Sequence, residues 1–427
     1  MPRSGYIEKS GPVGPIVRLW TVLRVAAKVT VVTISETERA KINHRQHGFV
    51  FMTHPENLKP ENAEQDAYRG QDEQKVFDIR VGRGAVSSPG NRFENTHFYE
   101  SESQDEEEKS NKVATVYLDD RSESIVSENQ SPDLGFRYSV NPYRGCAHGC
   151  SYCYARPTHE YLGMNCGLDF ETKILVKKNA PELLRKWLSR KSWSCEPIMF
   201  SGVTDPYQPA EKEFELTRKC LQVAWEFKQP VMLITKNALI TRDVELLSDL
   251  ARENLVRVTL SITSLDQSLI RVMEPRTSSP RARLDAIKKL AKVGIPVSVN
   301  VAPMIPGLND SEMAHILKSA ADKGATQSNY IVLRMPYAVK EIFLDWVDAH
   351  FPDKRSTIEN RIRSTSNDQL NRGEFGIRMR GTGVYADQIR NAFRVFKKKF
   401  GLDKSLPKLD TTRFRRPPEN GQLELFS

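Results

Sequence analysis

Residues 145–154 read Gly145-Cys146-Ala147-His148-Gly149-Cys150-Ser151-Tyr152-Cys153-Tyr154, which packs three thiols into one loop at the spacing C-x3-C-x2-C. Thiolates are soft ligands, and a tight loop can aim three of them at one corner of a metal cluster. Three is one fewer than a closed structural site or a fully ligated cubane uses. Cys146, Cys150 and Cys153 are therefore expected to hold a [4Fe–4S] cluster whose fourth iron keeps an open position. Two other readings stand beside this one: a zinc site completed by His148 or Cys166, and three unrelated core cysteines. His148 lies inside the same small loop and would reach the metal only under strain. Such clustering is uncommon by chance in a chain with six cysteines.

Downstream of the loop the pattern is regular. Apolar runs at Ile198–Ser201, Val231–Thr235, Val256–Ile262, Val297–Val301 and Tyr330–Leu333 predict strands. Between them, helical patterns fall at about 181–190, 211–227, 241–252, 281–293, 311–323 and 338–349. Pro181, Thr241 with Glu245, and Asn309-Asp310-Ser311-Glu312 supply helix start signals. Near-continuous apolar strands alternating with amphipathic helices predict parallel βα units. With the run Tyr138-Ser139-Val140 that leads into the cysteine loop, the count is six βα repeats. The expected fold class is α/β: a partial (β/α)6 TIM-like barrel with N- and C-terminal extensions.

The flanks read differently. Ile16 to Ile34 is apolar but interrupted by Arg18, Arg24 and Lys28, so it is not expected to span a membrane. Met52 is an alternative start, which would leave residues 1–51 untranslated. Residues 1–75 are expected to form a disordered extension, and 76–135 a lead-in segment that includes the acidic block Glu100–Glu108. The core is placed at 136–354, a helical basic segment at 355–412 with a helix over Ala386 to Phe400, and a flexible tail at 413–427. Lys+Arg 63 against Asp+Glu 54 gives a net charge of +9, compatible with an anionic substrate such as nucleic acid. Cysteine usage that is no disulfide framework, together with an oxygen-sensitive cluster, predicts the cytoplasm.

The cysteine spacing and the six βα repeats resemble the radical SAM superfamily. The resemblance implies S-adenosyl-L-methionine on the open iron, its cleavage by one electron to a 5′-deoxyadenosyl radical, and a reductant such as flavodoxin or ferredoxin. Tyr152 matches the superfamily's aromatic position near the adenine. Ser201-Gly202-Val203-Thr204-Asp205, after the second strand, occupies the place of the Gly-Gly-Glu motif that holds the cofactor's ammonium. Gly202 would allow close backbone approach, and Thr204 or Asp205 would accept its hydrogen bond, although a turn around Pro206 explains the same residues. Residues from about 136 to 335 resemble the spore photoproduct lyase branch, and about 80 to 400 an uncharacterised bacterial family of lyase-like radical SAM proteins. Lys236 and Ser261 resemble that branch's cofactor-binding lysine and serine. Asn300, after the fifth strand, is a ribose candidate, and Arg276 a further anion ligand.

That resemblance implies a DNA lesion or base as substrate, with a protein, peptide or tRNA target, or a non-catalytic metal-stabilised binding protein, as alternatives. The branch's hydrogen-donating cysteine near the end of strand two is replaced here by Met199-Phe200-Ser201, with Cys195 displaced to before the strand. Tyr207, Tyr330 and Tyr337 are the hydrogen-relay candidates. Gln422-Leu423-Glu424-Leu425-Phe426 resembles the peptide by which bacterial repair proteins bind the sliding clamp, and a terminus docking on its own domain is the plainer account.

Overall fold

The computed structural model describes residues 77–93 and 112–417. The expectations for residues 1–75, for the acidic block and for Gln422–Phe426 lie outside these residues. The apolar runs form six parallel strands: β3 (Tyr138–Val140), β6 (Ile198–Phe200), β7 (Val231–Thr235), β8 (Val256–Ser261), β9 (Val297–Met304) and β10 (Gln327–Val332). Their order in the sheet is the order of the chain, with β2 (Val126–Glu128) antiparallel on the outer side of β3. β2 and β10 remain apart as the two edges, so the sheet is the open six-fold barrel the repeat count predicts.

One face of the strands is continuously apolar and the other is mixed. Val140, Ile198, Phe200, Leu233, Val258, Val299 and Tyr330 join the main core under the helices. The alternate residues, Ser139, Met199, Thr259, Ser298 and Asn300, share the inner face by the two-residue period of a strand. Thr259 and Ser298 hydrogen-bond one another there at 2.7 Å.

Five predicted helices are present with small shifts: Ala180–Leu188, Val244–Arg252, Pro280–Lys292, Met313–Asp322 and Val339–His350. The expected continuous helix over 211–227 is instead two, Glu211–Phe214 and Leu216–Glu226. Glu215 between them takes a left-handed conformation at φ 53°, which no α-helix continues through. The C-terminal helix spans Gly383–Lys399, beginning three residues earlier than expected, and follows a further helix at Arg355–Ser364.

A second, three-stranded sheet is only partly evident in the sequence. β1 (Val116–Asp119), inside the predicted run from Thr115, pairs in parallel with β5 (Lys173–Val176), which in turn pairs antiparallel with β4 (Tyr143–Arg144). β4 leads straight into the cysteine loop, so this small sheet fixes the loop's entry.

The C-terminal segment runs beneath the barrel, across the amino ends of the strands. Ser328 N donates to Leu402 O at 3.0 Å, Arg257 Nε to Pro407 O at 2.8 Å, and Asp410 N to Asn254 O at 3.0 Å. Arg415 N then reaches Phe227 O, and Arg416 reaches the carbonyls of Arg190 and Trp193. The amino end of the barrel is thereby closed, and the carboxyl end carries the polar groups. Among the described residues, no helix is long and apolar enough to cross a membrane.

Candidate functional site

The cysteine loop follows β3 and β4 and lies at the carboxyl ends of the parallel strands, where loops in such barrels converge. Two buried ion pairs hold it. Arg156 is fully buried and donates to Cys150 O at 2.8 and 3.1 Å, and to Cys166 O and Gly167 O at 3.2 and 2.8 Å. Its guanidinium pairs with the buried Glu171. The same carboxylate accepts from Gly84 N at 3.0 Å and Ala85 N at 2.8 Å. The lead-in segment is thus pinned onto the loop. A Cβ placed on Gly84 would collide with Gly149 O, so only glycine permits that approach.

The second pair lies on the other side of the loop. Glu274 accepts from Arg283, from Tyr152 Oη and from Thr263 Oγ1, and Arg283 Nη1 also donates to Ser261 O at 3.0 Å. Ser151 N donates to Met273 O and Arg276 N to His148 O, which seats the loop against this segment. Burial opposes the Glu274 charge, but Arg283, then Lys236, and the hydrogen bonds from Thr263 and Tyr152 outweigh it and hold the carboxyl down at about 2. Tyr152, the aromatic candidate, is therefore fixed through its hydroxyl.

Cys146 and Cys150 are buried and Cys153 is partly so. Burial pushes the Cys146 thiol up to about 12 and raises Cys150 and Cys153 as well. Buried thiols of this kind ionise when a cation is supplied, as a metal centre does. No group of three His, Cys, Asp or Glu side chains among the described residues is disposed to hold a single metal ion. His148 is not free to complete a zinc site: Nδ1 is 3.4 Å from Asp205 Oδ2 and Nε2 is 3.2 Å from Asn237 Nδ2. Burial takes its pKa down to about 4, only partly offset by Asp205. Cys166 packs with Ala85 and Ile342 in a separate apolar cluster. Three soft donors on one loop, with the imidazole engaged elsewhere, fit an iron–sulfur cluster.

The register of the barrel brings three other candidates together. Ser261 pairs with Asn300, Asn300 with Asn329, and Lys236 lies one residue beyond the Thr235–Leu260 pair. Lys236, Ser261, Asn300 and Asn329 therefore form one row across four strands on the inner face. The Lys236 ammonium lies 5.7 Å from the Tyr152 ring and makes no hydrogen bond among the described residues. Burial works against its charge, yet Cys150 and Glu274 hold it above the ordinary lysine value. Asn300 Oδ1 is buried without a partner. An ammonium and an orphaned amide oxygen in one row are groups that a carboxylate and a hydroxyl of S-adenosyl-L-methionine would satisfy.

The segment after β6 behaves otherwise. The Asp205 carboxylate is already taken by Thr235 Oγ1 at 2.6 Å, Lys236 N at 2.7 Å and Tyr207 N at 2.9 Å. Thr204 Oγ1 turns to Tyr143 O at 3.3 Å. Both side chains build the turn. Ser201 (φ 149°) and Gly202 (φ 114°) reverse the chain, and Gly202 O accepts from Tyr154 Oη at 2.6 Å.

The three relay tyrosines are dispersed. Tyr207 is buried with its hydroxyl on Asp243 Oδ2 at 3.1 Å. Tyr330 faces outward from β10 against Phe393, its ring centroid 4.6 Å away, while Tyr337 is exposed beyond the strand. Cys195 lies at the amino side of β6, its sulfur 3.7 Å from Gln229 Oε1, at the opposite end of the strands from the cysteine loop. Arg276 donates to Thr115 Oγ1 at 2.9 Å and braces the lead-in. Sequence reasoning missed Arg156, Glu171 and Arg283. A lone charged residue on the apolar face of a helix, as Arg283 is among Pro280, Ala286, Ile287 and Leu290, is the one available signal.

The family model described as the radical SAM superfamily matches residues 140–320. An uncharacterised protein of Mycobacterium tuberculosis is 38% identical over 222 residues, covering 52% of this chain and 65% of the relative. An uncharacterised protein of Methanocaldococcus jannaschii is 31% identical over 228 residues, covering 53% of this chain and 81% of the relative. The chain thus spans 65% of the length of the mycobacterial relative it matches. Among solved structures, spore photoproduct lyase complexed with dinucleoside spore photoproduct aligns at TM-score 0.48 and 18% identity. That alignment covers 67% of this chain and 79% of the lyase chain.

Proposed function

We propose that this chain, which belongs to the radical SAM superfamily, reductively cleaves S-adenosyl-L-methionine and acts on nucleic acid. The superfamily's cofactors are a [4Fe–4S] cluster and S-adenosyl-L-methionine. When bound, they would supply radical chemistry: one electron from an external reductant, passed through the cluster, would cleave the sulfonium to methionine and a hydrogen-abstracting 5′-deoxyadenosyl radical. The observation that carries the reading is the row Lys236–Ser261–Asn300, facing inward at the strand ends where the cysteine loop lies.

The chain's own residues divide the work. Cys146, Cys150 and Cys153 hold the cluster. Lys236 binds the methionyl carboxylate as an ammonium kept charged by its neighbours. Ser261 lies beside it, and Asn300 Oδ1 takes a ribose hydroxyl that pairs an otherwise orphaned acceptor. Gly202 admits the cofactor close to the backbone after β6. Glu274 and Thr263 lock the Tyr152 ring through its hydroxyl, so that the ring is set before the adenine arrives. The closed amino end of the barrel leaves the carboxyl end for substrate.

Nucleic acid as substrate is supported by the net charge of +9. A base inside a duplex would have to be extruded to reach the strand ends. The test is cofactor turnover with single-stranded, duplex and damaged oligonucleotides against peptide controls. Oligonucleotide-dependent consumption that weakens as salt rises is expected, because phosphate contacts release counterions. Stimulation by peptide alone would move the substrate to the protein class.

A further inference from the structure

Three aromatic side chains from distant parts of the chain meet around one guanidinium. Arg92 sits 3.9 Å from the Tyr337 ring, 4.7 Å from Phe93 and 5.2 Å from Tyr161. Phe93 and Tyr161 lie 5.0 Å apart at 40°. Arg92 Nε is also 3.2 Å from the buried Glu160 carboxylate, and Asn91 Nδ2 donates to Glu160 O at 3.0 Å, so the guanidinium is fixed from below. The rings nevertheless remain in water: Tyr161 is 69% exposed, Phe93 57% and Tyr337 51%. Packing alone does not require three exposed rings at one spot, and a group of this kind marks an interaction surface.

A second observation concerns the backbone. Tyr337 holds φ at +52°, a left-handed conformation that costs any residue with a Cβ and favours glycine. An exposed tyrosine kept in strain, with its ring centroid 3.9 Å from a fixed cation, indicates that the ring itself is wanted. Its place matters too. Tyr337 follows β10 at the carboxyl end of the strands, and Tyr161 follows Cys153 by eight residues, so the rings share the end of the barrel that bears the cysteine loop.

We infer that Phe93, Tyr161 and Tyr337, braced by Arg92, form a stacking platform for an unpaired base of a single-stranded nucleic acid. The inference rests on the nucleic-acid reading above and assigns it a surface. Every base has a π-face, so such a platform is tolerant of sequence. The guanidinium behind the rings, its charge met by Glu160, sets their positions, and the net positive charge of the chain favours the phosphate backbone that accompanies the base.

The test is the affinity of the full chain for a fluorescent single-stranded oligonucleotide and for its duplex, with Tyr161→Ala, Phe93→Ala and Tyr337→Gly. Tyr337→Gly relieves the strained backbone while removing the ring, so its Tm should hold or rise. Its single-strand affinity should fall at least about fivefold, as loss of one base–aromatic stack implies. The duplex, whose bases are already stacked, should respond less. Unchanged single-strand affinity in all three variants overturns the platform while leaving the nucleic-acid reading intact; an aromatic peptide as the true occupant would give that result. A wild-type chain that binds neither oligonucleotide removes both.

Discussion

Replacing Glu171 by glutamine would separate the structural tie beneath the cysteine loop from the chemistry above it. The carboxylate is fully buried and receives the Arg156 guanidinium and the backbone N–H groups of Gly84 and Ala85. Glutamine preserves the size and most of the shape but removes the charge, leaving Arg156 buried without its counterion. Breaking a buried pair in this way costs about 3–5 kcal/mol. For a domain of this size, residues 77–93 and 112–417, that corresponds to a Tm lower by roughly 4–8 °C. The effect should also be local. The lead-in loses at least one of its two anchoring hydrogen bonds, because the amide keeps one oxygen acceptor and turns an NH2 toward the other N–H, so the Gly84 or Ala85 amide should exchange faster and trypsin should cut sooner at Arg80 and Arg83. Calorimetry with hydrogen exchange checks both. A Tm within about 1 °C of wild type, with exchange unchanged at both Gly84 and Ala85, would refute the view that this pair holds the lead-in on the loop.

Further predictions follow from the same contacts. Gly84→Ala should lower Tm and the iron content after reconstitution, because the added Cβ would meet Gly149 O, a backbone atom that cannot swing away; iron analysis reads this directly. The Glu274 carboxyl is held at about 2, below its ordinary 4.5, so its contribution to stability is full above pH 4.5 and is lost as pH falls through about 2. Wild type should therefore lose more Tm than Glu274→Gln over that window, and parallel Tm profiles would contradict the assignment. Lys236→Ala should weaken S-adenosyl-L-methionine binding by at least about tenfold, as expected for removing a charged hydrogen bond, while leaving iron content unchanged; equilibrium dialysis measures both.

The six-strand barrel was legible because each strand is an apolar run bounded by helix signals, and the cysteine loop because ligand spacing is local. Lys236, Ser261 and Asn300 could be singled out since each follows or closes such a run. That they stand in one row is a matter of register, which no single run reveals. The tie among Gly84, Arg156 and Glu171 joins residues up to 87 positions apart, and nothing near any of them in sequence announces a partner. Asp205 was ambiguous for a physical reason: an aspartate in a turn and an aspartate on a ligand look alike until the donors it serves are counted. β5 was missed because Lys173–Val176 is four residues long and carries no periodicity of its own.

The most direct measurement is 5′-deoxyadenosine formation by protein reconstituted anaerobically with iron and sulfide, then given dithionite and S-adenosyl-L-methionine, with Cys150→Ala alongside. The account predicts product from the wild-type chain and none from Cys150→Ala. No product from either, with zinc retained at the three thiols, would contradict it.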